Sequence, residues 1–348
     1  MTGKQQRRYF AASNSADGFI NYFPKIFENV GKRLFVIKGG PGTGKSCFMK
    51  QVGKQAEANG YPVTYYYCSS DPDSLDGLVI GGMDVGFIDG TAPHVWEPRS
   101  VGVFEQILNF GEFWQADRLL RRRDRIEALS AKKKDAYRRA YRYLAAYGHV
   151  MRATAEEVAS AIYSEKLEKA AERLVKQYGS ENGVFWEQTA VCSAIGMRGR
   201  ARFDTYERNA DKLYTVTDHG GTAHFFFEAL YKACRHRGVR VCLSRDPILP
   251  ERIDALCLTD SGVTFTTEGE GTPVNMRRFV NEEAYRTLRS EIKRKNAIAG
   301  ELVTCAEREF EAIRTHHFAI ETQFAAAMDF SAKEAYTETF CTKLFGKA

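Results

Sequence analysis

Eight consecutive residues, Gly39-Gly-Pro-Gly-Thr-Gly-Lys-Ser46, place four glycines, a lysine and a hydroxyl in the spacing GxxxxGK[ST]. Glycines let a chain turn tightly with successive N–H groups facing inward, and a helix opening at the end of the turn adds its positive pole, so such a loop cradles phosphates. On this reading Lys45 bridges β and γ phosphate oxygens of ATP and Ser46 ligates Mg²⁺. Gly39, Gly40, Pro41, Gly42, Thr43, Gly44 and Cys47 complete the cradle. The plain alternative is a glycine-rich turn that happens to contain Lys-Ser. A phosphate loop of this kind needs a second metal-oriented acid at the end of an apolar strand, and Val85-Gly-Phe-Ile-Asp89 supplies one. Asp89 is therefore expected to act in catalysis and to face Mg²⁺, unless it only caps a turn. Gly90, not glutamate, follows Asp89, so the usual water-activating residue is missing from its expected place and turnover is expected to be slow or to depend on a residue from elsewhere.

Two further segments carry chemistry. The loop Cys68-Ser-Ser-Asp-Pro-Asp-Ser-Leu-Asp-Gly77 follows a predicted strand, at the sheet edge where open α/β folds bind ligands. Asp71, Asp73 and Asp76 either activate a water, hold an acceptor hydroxyl or bind a cation, or they cap turns before a helix; Asp71, nearest the strand, is the strongest catalytic candidate. Thr91-Ala-Pro-His94 follows Asp89 closely enough for His94 to face the same cleft. From Arg118 to Arg152 twelve Lys/Arg stand against three acids, giving this stretch +9 and the remainder −3 of the net +6. A solvated helix face, an arginine lid drawn from Arg121, Arg122, Arg123 and Arg125, and a surface for nucleic acid or an acidic partner all fit that charge.

The elements that must position these residues read as α/β. Arg33–Lys38, Pro62–Cys68 and Val85–Asp89 read as strands and Ser46–Asn59 as a helix, an alternation that implies a mostly parallel sheet. No proline lies between Pro98 and Pro247, and the stripe Ile126, Leu129, Lys133, Ala136, Ala140, Tyr143, Tyr147, Val150 has helical spacing, interrupted in polarity only at Lys133. A helical hairpin is expected there, its second arm near Ala155–Tyr178. Lys212–Phe225 can be laid without a gap on Arg33–Ser46, and an Asp246-Pro247 pair echoes Asp71-Pro72, so the second half reads as a copy of the first. In that copy His224 falls at the lysine and Phe225 at the metal-ligating hydroxyl, so Asp218–Phe225 should not hold Mg-ATP in the usual way. The expected division is a nucleotide-binding domain over residues 1–115, a basic helical hairpin over 116–200, a degenerate α/β domain over 201–280 and a helical segment over 281–348, each α/β unit being followed by a helical hairpin.

With 44% hydrophobic and 27% charged residues the composition excludes disordered and collagenous classes. No window approaches about 18 consecutive apolar residues and the start is polar, so a cytoplasmic protein without a membrane role is expected. Eight scattered cysteines with no CxxC pair suit reduced thiols, with neither disulfide nor structural metal expected.

Taken together, Phe35–Ser46, Cys68–Gly77 and Asp89-Gly-Thr-Ala-Pro-His94 resemble a family of bacterial P-loop ATPase-like proteins built from two tandem nucleoside triphosphatase halves. The similarity is specific over about residues 7 to 115 and loose beyond. It implies a P-loop NTPase fold in two tandem copies and ATP binding at Gly39–Ser46. Both halves carry a phosphate loop in that family, a pattern from which Asp218–Phe225 departs. A Mg-ATP-dependent ATPase with one competent site is the leading expectation; a P-loop kinase holding a small acceptor on Asp71 and Asp73, or an ATP-switched binder of nucleic acid or another partner, are the alternatives.

Overall fold

In the computed structural model, which describes residues 6–27, 30–180 and 183–346, the first half contains β1 (Arg7–Phe10), β2 (Ala12–Ser15), β3 (Gly18–Asn21), α1 (Phe23–Phe27), β4 (Arg33–Lys38), α2 (Lys45–Ala58), β5 (Val63–Tyr67), β6 (Leu75–Ile80), β7 (Val85–Asp89) and β8 (Glu105–Asn109). A short 3₁₀ turn (Phe110–Phe113) then leads into α3 (Ala116–Leu120), α4 (Arg123–Ala159) and α5 (Ser164–Tyr178). The second half follows the same plan: β9 (Trp186–Thr189), β10 (Ser193–Gly196), β11 (Gly199–Arg202), α6 (Thr205–Arg208), β12 (Lys212–Thr217), α7 (Ala223–His236), β13 (Arg240–Arg245), β14 (Ile253–Leu258), β15 (Val263–Thr266) and β16 (Thr272–Asn275). A second 3₁₀ turn (Met276–Phe279), α8 (Glu282–Ala325) and α9 (Phe330–Phe345) complete it.

Among the described residues each half holds one six-stranded sheet, ordered β1-β5-β6-β7-β4-β8 and β9-β13-β14-β15-β12-β16. All strands run parallel except β6 and β14, which are antiparallel to both neighbours, so these are mixed, mostly parallel sheets flanked by helices. Strand β4 shows why its four middle residues, Leu34–Ile37, are apolar without alternation. Leu34 and Val36 pack beneath Phe23 and Phe27, while Phe35 and Ile37 pack beneath Phe48 and Val52, so both faces are covered.

Four sequence expectations are corrected. The acid loop leads into a strand, β6, and not into a helix: Leu78 and Ile80 share its core face, and Leu75 joins the same core across a break in register between Leu75 and Gly77. The long helix α4 does not fold back on α5: it packs antiparallel against α8 in the other half, through Tyr137 on Phe310 and the pairs Arg139–Glu309 and Lys295–Glu157. The segment after each sheet is therefore a long helix and a short one that part company, not a hairpin; α5 docks on α7 of the second half, and α9 on α2 of the first. Strand β9, within the stretch assigned to the hairpin, is an edge of the second sheet. Finally, the echo carries a gap, because residues 39–44 join β4 to α2 whereas only residues 218–222 join β12 to α7. Ala223, not His224, thus stands at the helix start where the first half has Lys45. Asp246 likewise corresponds to Cys68 and not to Asp71, since Cys68 N donates to Ser74 O as Asp246 N does to Arg252 O. No helix among the described residues is long and apolar enough to cross a membrane.

Candidate functional site

The glycine loop is shaped by left-handed Gly42 (φ 72°) and Gly44 (φ 85°), conformations open to glycine at little cost. Helix α2 starts at Lys45 with no side-chain cap and no acid in its first turn, so its leading N–H groups and dipole stay available to an anion. Lys45, 8% exposed, donates through Nζ to the carbonyls of Gly39 (2.9 Å) and Gly40 (2.8 Å) and lies 3.4 Å from Asp89 Oδ2. Asp89 reaches it because β7 pairs in parallel with β4, which brings both strand ends to one edge. Thr91 donates its N–H (3.0 Å) and hydroxyl to Asp89 Oδ1, and Ser46 Oγ accepts from the Leu75 amide at 2.9 Å.

Pro41–Cys47, Asp71, Asp76, Asp89 and His94 all line one cavity of about 530 Å³. Gly39 and Gly40 do not line it; they support Lys45 from behind. Asp71 is buried and engaged: Ser74 Oγ donates to it at 2.6 Å, and Arg198 lies 3.9 Å away. Asp73 is turned outward and pairs with Arg198. Cys68, Asp76 and His94 each place one ligand-type atom within 4.8 Å of the other two. His94 stacks on Phe23; burial opposes its protonation, but the Asp76 carboxylate outweighs that and raises its pKa, with Asp89 adding to the effect.

The rest of the cavity wall comes from residues distant in sequence. Helix α4 supplies Lys133 and Tyr137, α8 supplies His317 and Glu321, and Met197 enters between β10 and β11. Lys133 is the residue that interrupted the apolar stripe; it was a signal, since a charge on the buried face of a helix needs a polar destination. Burial lowers its pKa, with Cys68 and Glu321 working the other way. Burial opposes ionisation of Glu321 too, but His317, Lys45 and the Gly42 amide hold its carboxyl below the usual range. The β10–β11 hairpin docks on the acid loop by the Met197 amide, which donates to Ser70 O at 2.8 Å, and β2–β3 reciprocates through the Ala16 amide on Ile248 O at 2.9 Å. Arg121, Arg123 and Arg125 stay outside the cavity, and Arg118 and Arg122 instead reach the last carbonyls of α8, Ala326 and Gln323. None of these five arginines lines the cavity.

In the second loop two amides are already engaged by a carboxylate of the chain itself. Asp218 accepts from the Gly221 and Ala223 amides, both at 2.7 Å. His224 Nδ1 sits 2.8 Å from Gly221 O, and burial pushes its pKa down to about 4, leaving the ring uncharged at neutral pH.

Fold and site thus define an α/β protein with two sheet-bearing halves and a polar cavity built on the glycine loop of the first. A family model described as Nephrocystin 3, N-terminal matches residues 23–78, which include that loop and the acid loop. No curated protein and no solved structure gave a match to the chain.

Proposed function

We propose that the chain binds Mg-ATP at the glycine loop of its first half and hydrolyses it, as a P-loop ATPase with one competent site. One observation carries this reading: the uncapped start of α2, the buried Lys45 ammonium and the Asp89 carboxylate converge on one cavity, which is the donor, cation and acid set a magnesium triphosphate needs. Pro41–Cys47 would hold the phosphates, and Ser46 Oγ with Asp89 Oδ2 would hold Mg²⁺, which when bound neutralises charge on the phosphate oxygens. Asp89 Oδ1 is committed to Thr91, so Oδ2 is the oxygen left to face the ion. Lys45 Nζ rests on two neutral carbonyls, acceptors that an anionic oxygen outcompetes. The resemblance to tandem P-loop ATPases rests on the same loop, which also lies within the residues 23–78 matched by the Nephrocystin 3, N-terminal model.

Phosphate release from Mg-ATP by the full chain, measured beside Lys45→Ala and Asp89→Asn with calorimetric binding on the same samples, tests the reading. Turnover in the parent that falls about 100-fold or more in both variants is expected; a parent that binds no ATP sinks it. One observation favours a second reading, ATP as a switch. Phe324 and Glu321, near the end of α8, lie against Gly40 and Gly42, so filling the loop acts directly on a 44-residue helix. Tight binding without phosphate release would favour that reading, with the basic face of α4 as the surface for nucleic acid or an acidic partner. A kinase holding its acceptor on Asp71 and Asp73 draws less support, since Ser74 and Arg198 already engage both carboxylates.

A further inference from the structure

We propose that Cys68, Asp76 and His94 form a binding site for a thiophilic divalent cation of the zinc class, distinct from the Ser46–Asp89 pair. The three residues come from three separate segments, the end of β5, strand β6 and the loop after β7, and one donor atom of each lies within 4.8 Å of the other two. A tetrahedral ion with ligand distances of about 2.0–2.3 Å holds its donors about 3.3–3.6 Å apart; Asp76 Oδ2 and His94 Nε2, now 2.9 Å apart, would part by about half an ångström and the sulfur would draw in from within 4.8 Å, small side-chain rotations.

Two details favour an ion over a side-chain relay. In a Cys–His–Asp relay the thiol and the acid bond opposite ring nitrogens and stand roughly 6 Å or more apart; here sulfur, oxygen and nitrogen form a closed triangle. His94 Nε2 is 2.9 Å from Asp76 Oδ2, yet Asp76 Oδ2 and His94 Nδ1 are both buried without a hydrogen-bond partner among the described residues. The Asp76 oxygen has its ion pair with His94, and a cation in the triangle would offer it a direct ligand bond. Asp76 and His94 are 6% and 4% exposed, so packing confines the donors to small displacements, with His94 held between Phe19 and Phe23.

The donor set selects the ion. One sulfur, one nitrogen and one oxygen suit Zn²⁺ or Co²⁺ and disfavour Mg²⁺, which prefers six oxygens. Three protein ligands leave a fourth position, and all three line the 530 Å³ cavity, so that position opens toward whatever the cavity holds. The second half has lost the arrangement. Asp246 and Asp254 replace the thiol and the acid in the corresponding strand positions, and residues 267–271 between β15 and β16 replace the longer segment 90–104 that carries His94.

The proposal does not rest on nucleotide binding, and its test is run without nucleotide. The full chain, freed of metal, is titrated with Co²⁺ and then Zn²⁺, following the thiolate-to-cobalt charge-transfer band and the metal content per chain. One Co²⁺ per chain with a thiolate band, displaced by Zn²⁺, is expected. Cys68→Ser should abolish the band, His94→Gln should weaken affinity by roughly 100-fold, and Cys47→Ser should leave both unchanged. Circular dichroism checks that each variant is folded. Absence of a stoichiometric thiolate band in the parent overturns the proposal whatever the variants do, as does a band that survives Cys68→Ser or vanishes with Cys47→Ser.

Discussion

At the scale of single residues the two halves have solved the same packing problem with different chemistry, and Asp254 shows the cost. It occupies in β14 the place that Asp76 holds in β6. Ser193 Oγ donates to its Oδ2 at 2.9 Å, while Oδ1 is buried with no partner among the described residues. Burial, helped by the charge of Asp246, pushes its pKa up to about 6 against the bonds from Ser244 and Ser193 and the charge of Arg202. A carboxyl with a raised folded pKa contributes fully below its unfolded pKa, near 4, and loses that contribution as pH rises through 6; the loss is of order 3 kcal/mol. Asp254→Asn should therefore gain on the parent as pH rises from about 5 to 8, read as urea midpoints at the two pH values. An equal difference at both would show that Asp254 is ionised throughout.

At the scale of elements, what was legible in the sequence was local. The glycine loop, Asp89, Asp71 and His94 sit within or just after short strands, and their spacing alone brings them to one sheet edge. The partners of the long helices were not legible, because the apolar stripe on α4 states that a face is buried and not against what; α8 lies more than a hundred residues away. Lys133 marked the destination without naming it. The one-residue gap in the second loop was hidden because Gly221 and Thr222 fall on Gly42 and Thr43 in a gapless overlay, whereas the burial of Phe226, Phe227 and Leu230 in register with Phe48, Met49 and Val52 fixes it. The contact between α8 and the loop is testable at glycine. A Cβ on Gly42 would stand 2.8 Å from the Glu321 carbonyl oxygen, whereas one on Gly60, also left-handed at φ 79°, would meet nothing within 4 Å. Gly60→Ala should cost about 1 kcal/mol from backbone strain alone, and Gly42→Ala about 2–4 kcal/mol because the clash is with backbone that cannot rotate away. Equal losses in urea denaturation would mean that α8 does not bear on the loop.

At the scale of the whole molecule the halves are interlocked and not merely joined. Each half sends its hairpin onto the acid loop of the other and its last short helix onto the other's principal helix. Bridges between Trp114 and Met328 and between Ile162 and Val280 mark the two crossings at matching places. A consequence is that the glycine loop of the first half is supported by the end of the chain. Phe340 of α9 packs edge-on against Phe35 (5.1 Å between ring centres) and Phe48 (5.2 Å), the side chains beneath β4 and α2. Removing that ring leaves a void under the two elements that flank the loop, at a cost of about 2–4 kcal/mol. Phe340→Ala should thus speed hydrogen exchange in β4 and α2, some 300 residues earlier in the chain, while β12 and α7, whose core contains none of α9, keep their protection. Uniform loss of protection across both halves would instead make the molecule one cooperative unit, in which the second half serves the first by stability alone.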